Sequence, residues 1–238
     1  MLDPQLVTEP PGEERAIQRL RDCPNWGYLL HEFEILYRHG SAGGSKAIRS
    51  HRKRVRETLS AVIDSNPEVI ERVPEQKPVT AHLPRAFDLG ARNVLGSLSR
   101  SLERVSDYLT WEYGYAKVPK PLAKKYGFCH ILGPQGPVKS ERLILGFVLF
   151  APNTTYPQHS HRDIEESYIS VAGAWSENEQ AVYAPGSLIL NKPGQEHRIT
   201  TGQFDPCLLA WAWIGPGERL AEPGMKFSKS RKRVEHGI

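Results

Sequence analysis

In Tyr156–Gly173 (YPQHSHRDIEESYISVAG), His159 and His161 alternate, so an extended backbone with a period of two sends both rings to one side. Glu166 and Tyr168 alternate in the same way on the next segment. A hairpin joining the two segments would bring two imidazoles, a carboxylate and a phenol toward one point. Further along, PGSLILNKPGQEH delivers His197 directly after the Pro193–Gly194 turn signal. Three neutral imidazoles and one carboxylate suit one divalent transition metal ion, Zn, Fe, Mn, Co or Ni, with coordination positions left open. Tyr156 and Tyr168 flank these four side chains. His31, His39, His51, His82, His130 and His236 stand in no such pattern and are assigned to background.

Such a site needs paired strands, and the chain after Trp111 supplies them. LILGFVLF, ESYISVAG, EQAVYAPG, SLILNKPG, HRITTG and CLLAWAWIGPG alternate with turn signals, which predicts an antiparallel sandwich or small barrel. The first half has helical rhythm instead. Trp26, Leu29, Leu30, Phe33, Leu36 and Tyr37 form one face, with Gly40 as a stop. A second helix is predicted from Ser45 to about Ile63, and a third over Phe87–Leu109. Residues 66–85, with Pro67, Pro74, Pro78 and Pro84, read as a connecting loop. The expected organisation is α+β: a helical region over 1–110, a β-barrel over 111–225 and a basic flexible tail over 226–238.

The 238 residues, net charge +4 and 39% hydrophobic content describe an ordinary globular chain and exclude collagen-like, coiled-coil and wholly disordered classes. Cys23, Cys129 and Cys207 are odd in number and form no CxxC pair, which suits a reducing compartment and no disulfide framework. The start, MLDPQLVTEPPGEE, has no basic or apolar region of a signal peptide. The longest apolar run, Leu143–Ala151, is too short to span a bilayer. A cytoplasmic protein with no membrane span is expected. The basic stretch Lys46–Glu57 (KAIRSHRKRVRE) could face phosphates, but the helices read here are too long and too far apart for a helix-turn-helix, so no nucleic-acid partner is expected.

His159, His161, Glu166 and Gly173 resemble the first cupin motif, and Gly186, Gly194 and His197 match the second. Asn153 stands where that motif has a glycine, the second motif's proline is displaced to Pro193, and Thr201 replaces its closing Asn. These departures touch turns and leave the ligands in place. The resemblance implies a double-stranded β-barrel with a metal in its mouth. Within cupins, Tyr156-Pro157-Gln158-His159-Ser160-His161 followed by Glu165-Glu166-Ser167-Tyr168 is similar to the dimethylsulfoniopropionate (DMSP) lyases. The length, the helical first half and the strand carrying Trp211 and Trp213 look most like the DddL branch. That resemblance implies a carbon–sulfur lyase with DMSP as its small-molecule substrate. Related cupins commonly pair, so a homodimer is expected.

The residues fit that chemistry. Cleavage of DMSP to acrylate and dimethyl sulfide removes a proton α to a carboxylate, and a metal on that carboxylate is a Lewis acid for the developing charge. A phenol beside the metal has its pKa drawn down from about 10 and can act as base. Tyr168 shares the inward direction of Glu166 and is favoured as base. Tyr156 is the second candidate or a substrate-orienting hydrogen bond. The sulfonium suits an aromatic wall, for which Trp111, Tyr115, Trp211 and Trp213 are candidates. The alternatives are a ligand-sensing cupin regulator and another metal-dependent cupin enzyme such as a dioxygenase.

Overall fold

The computed structural model describes residues 17–39, 44–70, 72–115, 117–223 and 226–227. The expected apolar face is buried along α1 (Pro24–His39). Gly40, read as its stop, lies outside the described residues. Ser45 caps α2 (Lys46–Asp64), its Oγ accepting the Ile48 N–H at 3.4 Å, and Val55, Leu59 and Val62 face inward. The single helix expected over Phe87–Leu109 is two helices, α3 (Leu83–Ala91) and α4 (Gly96–Arg104). Asn93 breaks the run. Its amide donates to the Leu89 and Val171 carbonyls at 3.2 and 2.8 Å, and its Oδ1 accepts the Leu95 N–H at 2.9 Å. A side chain that bonds the backbone locally competes with the helical ladder. Residues 66–85 are less loop-like than expected. They hold β2 (Glu68–Val69), paired with β1 (Gln18–Arg19), and a 3-10 turn at Pro78–His82.

The rest of the chain runs β3 (Trp111–Glu112), α5 (Lys120–Ala123), β4 (Tyr126–Leu132), β5 (Ile144–Phe150), β6 (Thr155–Ser160), β7 (Glu165–Ala172), β8 (Trp175–Glu177), β9 (Val182–Tyr183), β10 (Leu188–Asn191), β11 (His197–Thr201), β12 (Cys207–Ile214), α6 (Gly217–Ala221) and β13 (Lys226–Phe227). One sheet has the order β10-β7-β12-β5-β4-β3 and the other β13-β6-β11-β8-β9. This is a cupin double-stranded β-barrel preceded by helices. β13 lies in the stretch expected to be a flexible tail, where its two residues pair with β6; residues 228–238 lie outside the described residues. No helix among the described residues is long and apolar enough to cross a membrane.

The six-stranded sheet has two apolar faces, which explains why LILGFVLF shows no alternation. On β5, Leu145, Phe147 and Leu149 join the core shared with α1, α2, α3 and α4, while Ile144, Val148 and Phe150 join the core inside the barrel. β12 divides likewise, with Leu208, Ala210 and Ala212 outward and Leu209, Trp211 and Trp213 inward. Gly146 makes the barrel interior wide enough for an indole. A Cβ built there would stand 2.5 Å from Trp211 Cζ2. The helical layer thus fixes the back of β5, β7 and β12, and the inward faces of those strands carry the chemistry.

Candidate active site

Four side chains converge inside the barrel: His159 on β6, His161 just beyond it, Glu166 on β7 and His197 at the start of β11. All are buried, and their ligating atoms lie within 4.8 Å of one another. His159 pairs with His197 across β6 and β11, with ring centroids 4.1 Å apart. Gly194, at φ +75°, turns the chain into β11, and its N–H donates to the His161 carbonyl at 2.8 Å. That bond ties the turn preceding one imidazole to the backbone of another.

The register slips between His197 and Ile199, so that Ile199 faces Tyr156. The extra residue on β6 is a β-bulge, and it turns Tyr156 and His159, three positions apart, into the same interior. Strict alternation would have put them on opposite faces. On β7, Glu166 and Tyr168 point inward, while Glu165, Ser167 and Ile169 face the helices.

Three of the four side chains are oriented by a hydrogen bond outside the cluster. The Nδ1 atoms of His159 and His197 donate to the Pro157 and Gln195 carbonyls at 3.0 and 3.1 Å, leaving both Nε2 lone pairs free to face the centre. Trp213 Nε1 donates to Glu166 Oε1 at 2.6 Å. The other oxygen, Oε2, stands 3.0 Å from His197 Nε2 and 3.4 Å from His161 Nε2. Even so, Glu166 Oε2, His161 Nε2 and His197 Nε2 are buried with no hydrogen-bond partner. Orphaned buried acceptors and donors are costly, and one cation at their centre would satisfy all of them. Three nitrogens and one oxygen are the donor set of a borderline divalent ion, so the residues fit the metal expected.

Burial alone would raise the Glu166 carboxyl, but His161 and His197 outweigh it and hold the group well below the usual carboxylate range. Burial, then repulsion from His197, pushes His159 down to about 3, so its ring is neutral as a ligand must be. Tyr168 is raised well above 10 by burial and then by the Glu166 carboxylate. Its ring centroid lies 6.0 Å from that of His197. Tyr156 is also raised, by burial and by Tyr115 and Tyr126 beside it.

Tyr156, Tyr168, Trp211 and Trp213 line the cavity that His159, His161 and Glu166 border. Tyr115 stands behind Tyr156, ring to ring at 6.2 Å, and does not line that cavity. Trp111 is elsewhere. It pairs with Cys129 on β4, directly opposite residues share a sheet face, and that face packs on the helices, so Trp111 is a core residue. Tyr126, Phe128, Val148 and Phe150 also line the cavity, although no motif marks them. The available signal was the period-two spacing of Tyr126, Phe128 and His130 in YGFCHIL.

Comparison with known proteins agrees with the geometry. Residues 51–209 match the dimethylsulfoniopropionate lyase family. The chain is 69% identical over 227 residues to the DddL protein of Cereibacter sphaeroides, assigned as a dimethylsulfoniopropionate lyase, covering 94% of this chain and 98% of that one. Its fold is similar to the crystal structure of the DMSP lyase DddQ from Ruegeria pomeroyi DSS-3, with a TM-score of 0.66, 17% identity, and 86% of this chain and 96% of that one covered. A chain from the crystal structures of the DMSP lyases RdDddP and RnDddQII gives a TM-score of 0.64 at 19% identity, over 87% of this chain and 99% of that one. With a family match over most of the barrel and a close relative along nearly its whole length, the chain belongs to the dimethylsulfoniopropionate lyase family, a family of carbon–sulfur lyases.

Proposed function

We propose that the protein cleaves DMSP to dimethyl sulfide and acrylate, with His159, His161, Glu166 and His197 holding one divalent metal ion and Tyr168 acting as the base. The observation that carries this reading is the convergence of unsatisfied nitrogen and carboxylate atoms beside a phenol on the same inward face of β7. When bound, the metal supplies a Lewis acid for the charge that develops on the substrate carboxylate as the α-proton leaves.

Tyr168 accepts that proton. The C–H electron pair becomes the carbon–carbon double bond of acrylate, and the C–S pair leaves on sulfur as neutral dimethyl sulfide. Among the protein groups, burial and Glu166 favour the neutral phenol, so the phenolate requires positive charge from the ion its neighbours hold. Tyr156 is the weaker candidate, because Tyr115 and Tyr126 already engage it. Trp211 and Trp213, with centroids 4.9 Å apart, offer π faces to the sulfonium and exclude water around it.

The regulator alternative has less support. Within the basic stretch of α2, His51 and Arg52 are buried and Arg54 pairs with Glu165, so these side chains are engaged in packing. Headspace gas chromatography of the purified protein with DMSP tests the proposal. Dimethyl sulfide and acrylate are expected in equal amounts, with loss on chelation and recovery on adding a divalent ion. No sulfide from metal-loaded protein would overturn it.

A further inference from the structure

The cavity around the metal ligands has a free volume of about 30 Å³, room for roughly two water molecules. A substrate the size of DMSP needs more. Next to it lies a second cavity of about 300 Å³ between β3, β4 and α6, lined by Glu112, Tyr113, His130 and Leu220 among others. Two side chains, Phe128 and Trp213, border both spaces. Trp213 is fixed from both sides, by its bond to Glu166 and by the His161 ring 4.6 Å away. Phe128 is half-buried and meets Trp211 and His130 edge-on, at 6.3 and 5.1 Å. It is the partition whose size sets how far the inner cavity opens into the outer one.

We infer that Phe128 is a specificity-determining residue of this lyase: it forms the wall against the substituents on the sulfonium, and the chamber behind it receives the sulfur end and the departing sulfide. The inference rests on the proposed lyase reaction. If the substrate carboxylate lies at the four ligands, the sulfonium end must extend away from them. Among the cavity walls, Phe128 and Trp213 are the aromatic groups that lead from the ligands to the outer chamber, with Trp211 beside them on the inner side. Glu112 adds little net attraction there, because Arg72 holds it in a two-pronged ion pair at 2.7 and 3.1 Å. Recognition of the cation therefore falls to the rings. Glu112 in turn stands 3.4 Å from His130 Nδ1, so this ion pair backs the imidazole on which Phe128 rests.

The test is competition in one vial between DMSP and its S,S-diethyl analogue, with dimethyl and diethyl sulfide quantified in the headspace. The product ratio reports the ratio of kcat/KM values and does not depend on enzyme amount. Phe128→Ala should shift that ratio toward diethyl sulfide by roughly 10-fold or more, the worth of a methylene or two in a shaped pocket. Phe128→Leu should shift it less, and it decides the matter if the alanine variant does not fold. Phe204→Ala, an exposed aromatic outside both cavities, should leave the ratio alone. A ratio within twofold of wild type in folded, metal-loaded Phe128 variants would overturn the inference while leaving the lyase reaction standing. If the wild-type protein releases neither sulfide, the lyase reading itself fails and this inference falls with it.

Discussion

Trp213 and Glu166 face each other across β12 and β7, and the indole N–H donates to the Glu166 carboxylate at 2.6 Å. This bond leaves one carboxylate oxygen for a metal and fixes which one. Trp213→Phe keeps the aromatic wall and removes only the donor. The variant should bind its metal about 10- to 100-fold more weakly, as is usual when a group orienting a ligand is lost. Competition with a graded chelator measures this; an unchanged affinity would mean that Glu166 needs no such support.

The outward face of β7 carries a second polar arrangement. Ser167 Oγ lies 2.8 Å from both His51 Nε2 and Tyr37 Oη, and His51 Nδ1 is 3.2 Å from Glu165 Oε1. With the imidazole proton on Nδ1, which faces Glu165 as an ion-pair contact, Ser167 donates to His51 and Tyr37 donates to Ser167. The Ser167 side chain is fully buried, so the arrangement anchors the helical layer to the strand that bears Glu166 and Tyr168. Ser167→Ala strands two buried partners and should cost about 1–3 kcal/mol in urea unfolding, with metal content retained. Stability equal to wild type would show the network to be dispensable.

Two carboxylates tie stability to pH. Glu165 is drawn down to about 2 by His51 and, against burial, by Arg54. Glu112 reaches about 2 because His130 and Arg72 outweigh its burial. Both fall below the unfolded value of about 4.3, so their contribution is complete above that value and is lost as acid protonates them. The urea midpoint should hold down to about pH 5 and decline toward pH 2. Glu165→Gln should flatten part of that decline; an identical slope would contradict the assignment.

The convergence of the four candidate side chains was legible because alternation states a face: His159 with His161 and Glu166 with Tyr168 need only a paired strand to meet. The Pro193–Gly194 turn announced His197. Trp111 was expected in the aromatic wall and lies in the core, since an aromatic residue in a two-residue edge strand is equally at home on either face. Its direction follows from pairing with Cys129, which no local pattern reveals. Tyr156 enters the site through a bulge, and register slips leave no periodic trace. Phe128 alternates with Tyr126 and His130, but apolar residues on both faces of YGFCHIL left open which face lines the barrel. His51 had no local signature, since its partner Ser167 is 116 residues away.

Removal of the metal should be reversible and should spare the fold. The barrel is held by one apolar core inside it and a second between its sheet and the helices, and neither contains the four candidate ligands. Dialysis against a chelator is expected to abolish activity while leaving the circular dichroism spectrum intact. Loss of the spectrum would make the ion structural.

The central claim is that the Tyr168 phenol takes the α-proton, and Tyr168→Phe deletes that hydroxyl alone. Metal content and fold should match wild type, while dimethyl sulfide release falls on the order of 10²-fold or more. The wild-type rate should rise with pH into the alkaline range, as the ionised fraction of the base grows, and the residual rate of the variant should not follow that profile. Near-wild-type release of dimethyl sulfide by metal-loaded Tyr168→Phe would contradict the account.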